Sequence, residues 1–428
     1  MHPLTQRQLC RVLFVALCLA PTVGLALCAA WRGRPGAAGA WARRLEAVLG
    51  ARVQFERVSH PRPGVLLLHG LQVLDPETGR LWARARLVER IDGSSGGVLL
   101  LAQPEVTADG LPRLCELLLR PLTAPSGHPS PVRAMRAREL TLHDAVHAQT
   151  LHDVHWELIS GDAPQWIAEF RLPEATASSP AGLRLSRDRS GAWPTTRLEL
   201  QTGPELLPCS LISLLWPAAE RLGPQARFTG QLWFTLDAAR EGELRGSLVG
   251  VDLDRLLSDQ FPHKLTGTAQ VTVDHARLQN GRLTAAAGSL AAGPGTVSQS
   301  LLDAAVRSLR LEPAPELAAA SGRLEAYDQL ALRWEIDGHG LTLRAPPAGR
   351  GVLMTSPAGP LLRQPALQPL PAVSLVRTLV PQSDVQVPAT LETDRLLRWL
   401  PIPPVVRPTE AAPRQADVRV RLSELKQR

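Results

Sequence analysis

Between Val53 and Leu343 apolar residues recur at every second position, segment after segment. Successive side chains of a strand point to opposite faces, so each run carries one dry and one wet face and calls for a sheet. Val53 and Phe55 open the series, and Val65, Leu67, Leu71 and Val73 continue it around His69. The turn Asp75-Pro76-Glu77-Thr78-Gly79 then leads to Leu81, Ala83, Ala85 and Leu87. Leu140 and Leu142 alternate, as do Val154, Trp156 and Leu158, then Trp166, Ala168 and Phe170. In the clearest section Leu232, Phe234 and Leu236 share one side, and Leu244, Gly246 and Leu248 follow a turn at Glu241-Gly242. Gly267, Ala269, Val271 and Val273 come next, then Leu283, Ala285 and Ala287. Leu330, Leu332, Trp334 and Ile336 form a further strand, with Leu341 and Leu343 after it.

Helical periodicity is confined to short pieces. Gly36–Gly50 places Trp41, Leu45, Val48 and Leu49 on one face. Leu111–Leu119 reads as a helix ended before Pro121, and Leu206–Leu222 as a helix broken at Pro208 and Pro217. Ser300–Leu311 and Leu391–Leu400 are the others, and Val418, Val420 and Leu422 suggest a last strand. The expected body is mainly β, a long series of antiparallel strands with small helical plugs. The 38 prolines and 33 glycines agree with that, and proline crowding beyond Ala345 marks residues 346–428 as a Pro-rich tail.

One segment obeys a different rule. Val12–Trp31 is twenty residues without a charge, enough for a helix to cross a hydrocarbon core of about 30 Å. Residues 1–11 form a short N-terminus with Arg7 and Arg11; Arg32, Arg34, Arg43 and Arg44 flank the other side, in a juxtamembrane helix and link at 32–52. A cleaved signal peptide, with small residues at Ala26–Ala30, competes with this reading; the run is longer than a usual signal core, so an uncleaved span is expected. Leu17 and Leu27 precede Cys18 and Cys28, where lipoprotein processing wants a small residue. The Arg count alone favours a cytoplasmic body.

Composition and motifs exclude several functions. The 47 basic and 40 acidic residues give +7, but the arginines are scattered among Asp and Glu rather than gathered in a stripe, so no nucleic-acid partner is expected. There is no C-x-x-C; Cys115 and Cys209 either pair or stay as buried thiols in apolar flanks. His143, His147, His152 and His155 form the one histidine cluster, beside Asp144 and Asp153. In a strand His143 and His147 lie roughly 13 Å apart, so no metal site is expected. Ser289 and Ser298 lack a strand–Ser–helix elbow, and Gly288–Gly295 lacks the lysine of a phosphate loop. Neither a cofactor nor enzymatic activity is expected.

Two blocks carry a resemblance. The first is Leu45-Glu46-Ala47-Val48-Leu49-Gly50, then Val53-Gln54-Phe55-Glu56-Arg57-Val58, Pro63-Gly64-Val65-Leu66-Leu67-Leu68-His69-Gly70-Leu71-Gln72-Val73-Leu74-Asp75-Pro76 and Ala83-Arg84-Ala85. The second runs from Phe228-Thr229-Gly230 through Leu244-Arg245-Gly246, Leu265-Thr266-Gly267, Gly281-Arg282-Leu283 and Gly288-Ser289-Leu290 to Gly293-Pro294-Gly295-Thr296-Val297-Ser298. Together they resemble the AsmA-like family over about half of the chain. The resemblance implies one N-terminal helix in a bacterial inner membrane and an elongated, curled antiparallel sheet in the periplasm, opposite to the Arg count. It divides the body into an N-terminal β-rich region at 53–222 and an AsmA-like C-terminal region at 223–345. Larger relatives line a groove with apolar side chains and are linked to phospholipid movement and outer-membrane upkeep; this chain is short for a complete conduit. The expected partners are therefore membrane phospholipid and envelope proteins. Leu232, Phe234, Leu236, Leu244 and Leu248 are the candidate groove residues. The alternative is a scaffold or assembly factor whose apolar face is closed against protein.

Overall fold

The computed structural model describes residues 12–24, 35–93, 96–123, 132–143, 148–161, 163–173, 179–191, 193–213, 217–236, 240–314 and 324–380. It is mainly β, built on a large curled mixed sheet. In chain order the strands are β1 (Arg52–Gln54), β2 (Arg57–Ser59), β3 (Val65–Leu74), β4 (Leu81–Ile91), β5 (Gly97–Thr107), β6 (Val132–His143), β7 (Ala148–Ile159) and β8 (Gln165–Arg171). Then come β9 (Ala181–Asp188), β10 (Thr195–Gln201), β11 (Leu207–Pro208), β12 (Arg227–Thr235), β13 (Gly242–Asp252), β14 (Thr268–Gln279), β15 (Arg282–Ala292) and β16 (Gly295–Ser298). The last are β17 (Glu312–Pro313), β18 (Leu324–Tyr327), β19 (Gln329–Asp337), β20 (Gly340–Arg344), β21 (Val352–Ser356) and β22 (Gly359–Arg363). The helices are α1 (Pro35–Leu49), α2 (Gly110–Thr123), α3 (Cys209–Ser213), α4 (Gln299–Ser308) and α5 (Val373–Leu379).

Neighbouring strands pair in sequence order from β3 to β10, then β12 to β15 and on to β19 and β20. Because β10 pairs with β12, the sheet continues across residues 222 and 223. The expectation of a purely antiparallel sheet is corrected at one place: β5 and β6 are parallel. A parallel pair needs a crossover that returns the chain to the starting edge, and α2 lies in that connection. Its helical period was legible in the sequence; the direction of the following strand was not.

Alternation also fails to run straight through β3. Leu66 and Leu68 pack with Leu71, and Ala85 with Val88, in one cluster under Trp41 and Leu45 of α1. Odd spacings cannot share a face of a regular strand, so the phase slips between them. Gly70 sits at the slip with φ of 63°. Gln103 (φ 50°) lies between the pairs Ala102–Leu87 and Pro104–Ala85, and Asp153 (φ 49°) between His152–Glu139 and Val154–Ala137. The three lie on one row crossing β3 to β7. Left-handed residues inserted in a ladder re-aim the following side chains and increase the local twist. This corrects the grouping of Val65, Leu67, Leu71 and Val73, which read the alternation through Gly70. A Cβ at Gly70 would also stand 2.7 Å from the Glu56 side chain.

The helices cover the dry face. Leu119 and Leu122 of α2 pack on Trp156, Trp166, Leu185 and Leu198. That burial carries α2 through Pro121 to Thr123, beyond the expected end. Leu49 of α1 packs near Val73 and Trp82, whereas Val48, placed on the same face from sequence, is exposed. Leu206–Leu222 is not one helix: it divides into β11, α3 and a 3-10 turn at Pro217–Leu222. α4 falls where Ser300–Leu311 predicted it, capped by Ser298, and buries Leu302 and Ala305. The supposed tail is folded through its first part. Leu353, Met354, Leu361, Leu362, Leu370 and Val376, from β21 to α5, belong to the largest core cluster.

Residues 12–24 are helical, with a π-helical turn at Val15–Leu19, and their side chains are exposed. That length covers about 20 Å, and no helix among the described residues is long and apolar enough to cross a membrane. Residues 25–31 of the expected span, Leu391–Leu400 and Val418–Leu422 lie outside the described residues.

Candidate apolar site

Two cross-strand rows run side by side across the middle of the sheet. One is Leu183, Leu200, Leu232, Leu244, Ala276 and Ala286; the next is Leu185, Leu198, Phe234, Gly242, Leu278 and Leu283. Direct pairing fixes their register, so these side chains emerge on one face from β9 to β15. Five strand spacings make the rows about 24 Å long.

The opposite face of the same strands is charged. Arg197 contacts Glu199 at 2.7 Å and stacks over the Trp233 ring at 4.0 Å. Arg245 reaches Glu243 at 2.7 Å, with Arg277 on its other side at 4.0 Å. The hydrogen bond from Arg245, with the charge of Arg277 added, holds the Glu243 carboxyl below its ordinary pKa. Charges on one face and leucines on the other make this section an amphipathic sheet.

A third row, toward the other strand ends, is closed by its own side chains. Gly230 faces Gly246, which pairs with Val273, then Gly288 and Trp334. A Cβ on Gly246 would stand 2.8 Å from the Phe228 ring, and one on Gly288 2.8 Å from the Trp334 indole, so these rings lie over the glycines. Cys209 and Ile212 of α3, with Leu222, pack on Phe228 and Leu248 beyond them and on Leu244 of the first row. At the other flank α2 covers Leu185 and Leu198. Leu183, Leu200, Leu232, Phe234, Leu278 and Leu283 are left half-buried, outside every packed cluster of the described residues.

Of the predicted groove residues, Leu232, Phe234, Leu244 and Leu248 do share a face. Leu244 and Leu248 are covered by α3 and the 3-10 turn, while Leu232 and Phe234 are in the uncovered strip. Leu236 lies beyond the end of β12 and is 53% exposed. Leu183, Leu200, Leu278 and Leu283 complete the strip. Their alternation was visible, but only the register shows that they align.

The remaining sequence candidates do not converge on chemistry. His143 meets Glu105 at 2.9 Å, and Arg84 meets the same carboxylate at 2.7 Å and lowers its pKa. His155 lies opposite Arg136, and His147 and Asp144 fall outside the described residues. No group of three or more metal-capable side chains occurs among the described residues. Ser298 serves as the α4 cap and Ser289 lies within β15. Cys115 and Cys209 are separate free thiols, with Cys209 pushed up to about 11 by burial. Arg43 and Arg44 are exposed on α1, Arg44 lying 5.7 Å from the Trp41 ring, while Arg7, Arg11, Arg32 and Arg34 are outside the described residues.

One polar centre had no signal in the sequence. His263, 3% exposed, lies between Ser300 Oγ at 3.0 Å from Nδ1 and the Thr378 carbonyl at 2.9 Å from Nε2. The neutral tautomer satisfying both donates from Nε2 to that carbonyl and accepts from Ser300, tying α5 to the start of α4. Burial lowers its pKa. Comparison of the chain with protein-family models, curated proteins and solved structures gives no match.

Proposed function

We propose that this chain is a non-enzymatic envelope protein, anchored in a bacterial inner membrane, whose periplasmic body holds or guides phospholipid acyl chains. The observation that carries the reading is the uncovered strip of Leu183, Leu200, Leu232, Phe234, Leu278 and Leu283 on an otherwise helix-covered dry face. Its length of about 24 Å exceeds one leaflet's share, about 15 Å, of a hydrocarbon core. Each methylene laid on such a surface gains up to about 0.8 kcal/mol. The AsmA-like pattern in the sequence supports the same assignment, with support of outer-membrane maintenance as the wider role.

A specific observation favours the runner-up, a scaffold or assembly factor. The helices α1 to α5 close most of the dry face. Paired aspartates at Leu200 and Phe234 separate the two. On an open strip the charges stay hydrated, so the full chain keeps its β-dominated circular dichroism but loses phospholipid in native mass spectrometry. On a face covered by protein, an unpaired buried carboxylate costs several kcal/mol and the section unfolds. Unfolding, or wild-type chain free of lipid, refutes the acyl-chain reading.

A further inference from the structure

We propose that Trp193, just before β10, and Leu236, just after β12, mark the mouth at which the strip meets a phospholipid bilayer and are seated among its acyl chains. The inference rests on the acyl-chain reading and names where that site receives its ligand. Of the two rows that contribute to the strip, the one containing Phe234, Leu278 and Leu283 lies nearest the ends of β9, β12 and β14. The other end of the same strands is blocked by the Phe228 and Trp334 rings and by α3, so among the described residues the strip opens toward these ends.

These strand ends are unusual for a protein surface. Trp193 is 85% exposed and Leu236 53%. Leu236 N–H donates to the Thr196 carbonyl at 2.8 Å, which holds the end of β12 beside the start of β10. At the end of β7, on the same edge, Ile159 is also exposed. Arg240 and Arg282 lie beside these strand ends, with Asp188 and Glu241 among them, while Arg187 donates to Thr196 Oγ1 at 2.8 Å and Arg189 to the Leu122 carbonyl at 2.9 Å. An indole beside arginines suits the interface of an anionic bilayer, where the ring is half immersed and the guanidinium groups meet phosphate.

The direction of α1 agrees. Trp41 and Leu45 of α1 pack on Leu66 and Leu68 near the start of β3, and Leu49 packs near Val73 at its end. α1 therefore runs parallel to β3, and its first turn lies toward the Val65 end. Through the ladder that end corresponds to the Ile91, Val132 and Ile159 ends of β4, β6 and β7, the same edge of the sheet that carries Trp193. The first turn of α1 therefore lies at that edge, and the uncharged segment Val12–Trp31 precedes it in the sequence.

The test uses the full chain in vesicles of phosphatidylethanolamine and phosphatidylglycerol with acyl chains brominated at mid-depth. Trp193→Phe identifies the emission belonging to this indole and keeps an apolar side chain in place. That emission is expected to be quenched by the brominated chains and shielded from aqueous iodide. Emission open to iodide and untouched by bromide overturns the proposal. Shielding from iodide without bromide quenching also overturns it, because protein then covers the indole. Co-purified phospholipid is scored separately in both chains. Its absence refutes the strip reading, while bromide quenching decides the mouth in either case.

Discussion

Replacing Leu122 by Ala tests whether α2 is seated on the sheet. Leu122 is 1% exposed and packs on Trp156, Leu158, Trp166 and Leu185. The two indoles are stacked with centroids 3.3 Å apart, a rigid pair with little freedom to close over a void. Leu-to-Ala changes in cores cost about 2–5 kcal/mol, more where the surroundings cannot collapse, which places this one at about 3–4 kcal/mol. Arg189 Nη2 also donates to the Leu122 carbonyl at 2.9 Å. Since the substitution leaves that carbonyl in place, the loss reports packing. Urea unfolding followed by tryptophan emission measures it, and hydrogen exchange across α2, β7 and β8 localises it. Leu200→Ala is the matched control: on a half-buried strip the same chemistry is expected to cost about 1 kcal/mol or less. Equal losses at the two sites would refute the division between covered and uncovered parts of the dry face. A loss below about 1 kcal/mol at Leu122 would remove α2 from the Trp pair.

Two other perturbations probe features that hold the sheet in shape. Gly230→Ala places a Cβ 2.1 Å from the Arg245 carbonyl at a backbone φ of 149°; it is expected to lower the urea midpoint, whereas an unchanged midpoint would show that β12 and β13 do not approach so closely. At His263 the lowered pKa means that the folded chain resists protonation. The unfolded chain takes up a proton below about pH 6.5, so stability is full above that value and is lost as pH falls toward the folded pKa. His263→Gln should flatten the fall of Tm in that window, and an identical slope in both chains would refute the assignment.

The parts of this architecture legible in the sequence were those written in local period. Alternation announced the strands around Leu232 and Val271, and helical spacing announced α4. What local period could not show is how segments are placed against one another. A single left-handed residue at Gly70 reverses the meaning of every apolar position after it, and Gln103 and Asp153 do the same with no glycine to mark them. Pro121 signalled a helix end, but burial of Leu122 under two indoles outweighs the missing hydrogen bond. Proline-rich sequence beyond Ala345 likewise concealed Leu353, Leu361 and Leu370, whose place in the core depends on strands far upstream.

The same distinction explains why the candidate site was only half visible. Leu232, Phe234, Leu244 and Leu248 are equivalent by alternation, and all four emerge on the dry face. Their fates diverge because α3, a five-residue helix between Pro208 and Pro217, lies over one end of the hairpin and not the other. Phe228 and Trp334 complete that end by folding their rings over Gly246 and Gly288, where the absent side chains leave room for aromatic ones. Glycine in these strands therefore does more than permit a turn. It lets the sheet seal its own surface in one row, whereas in the neighbouring row Leu183, Leu200 and Leu232 stay half-buried, outside the packed clusters of the described residues.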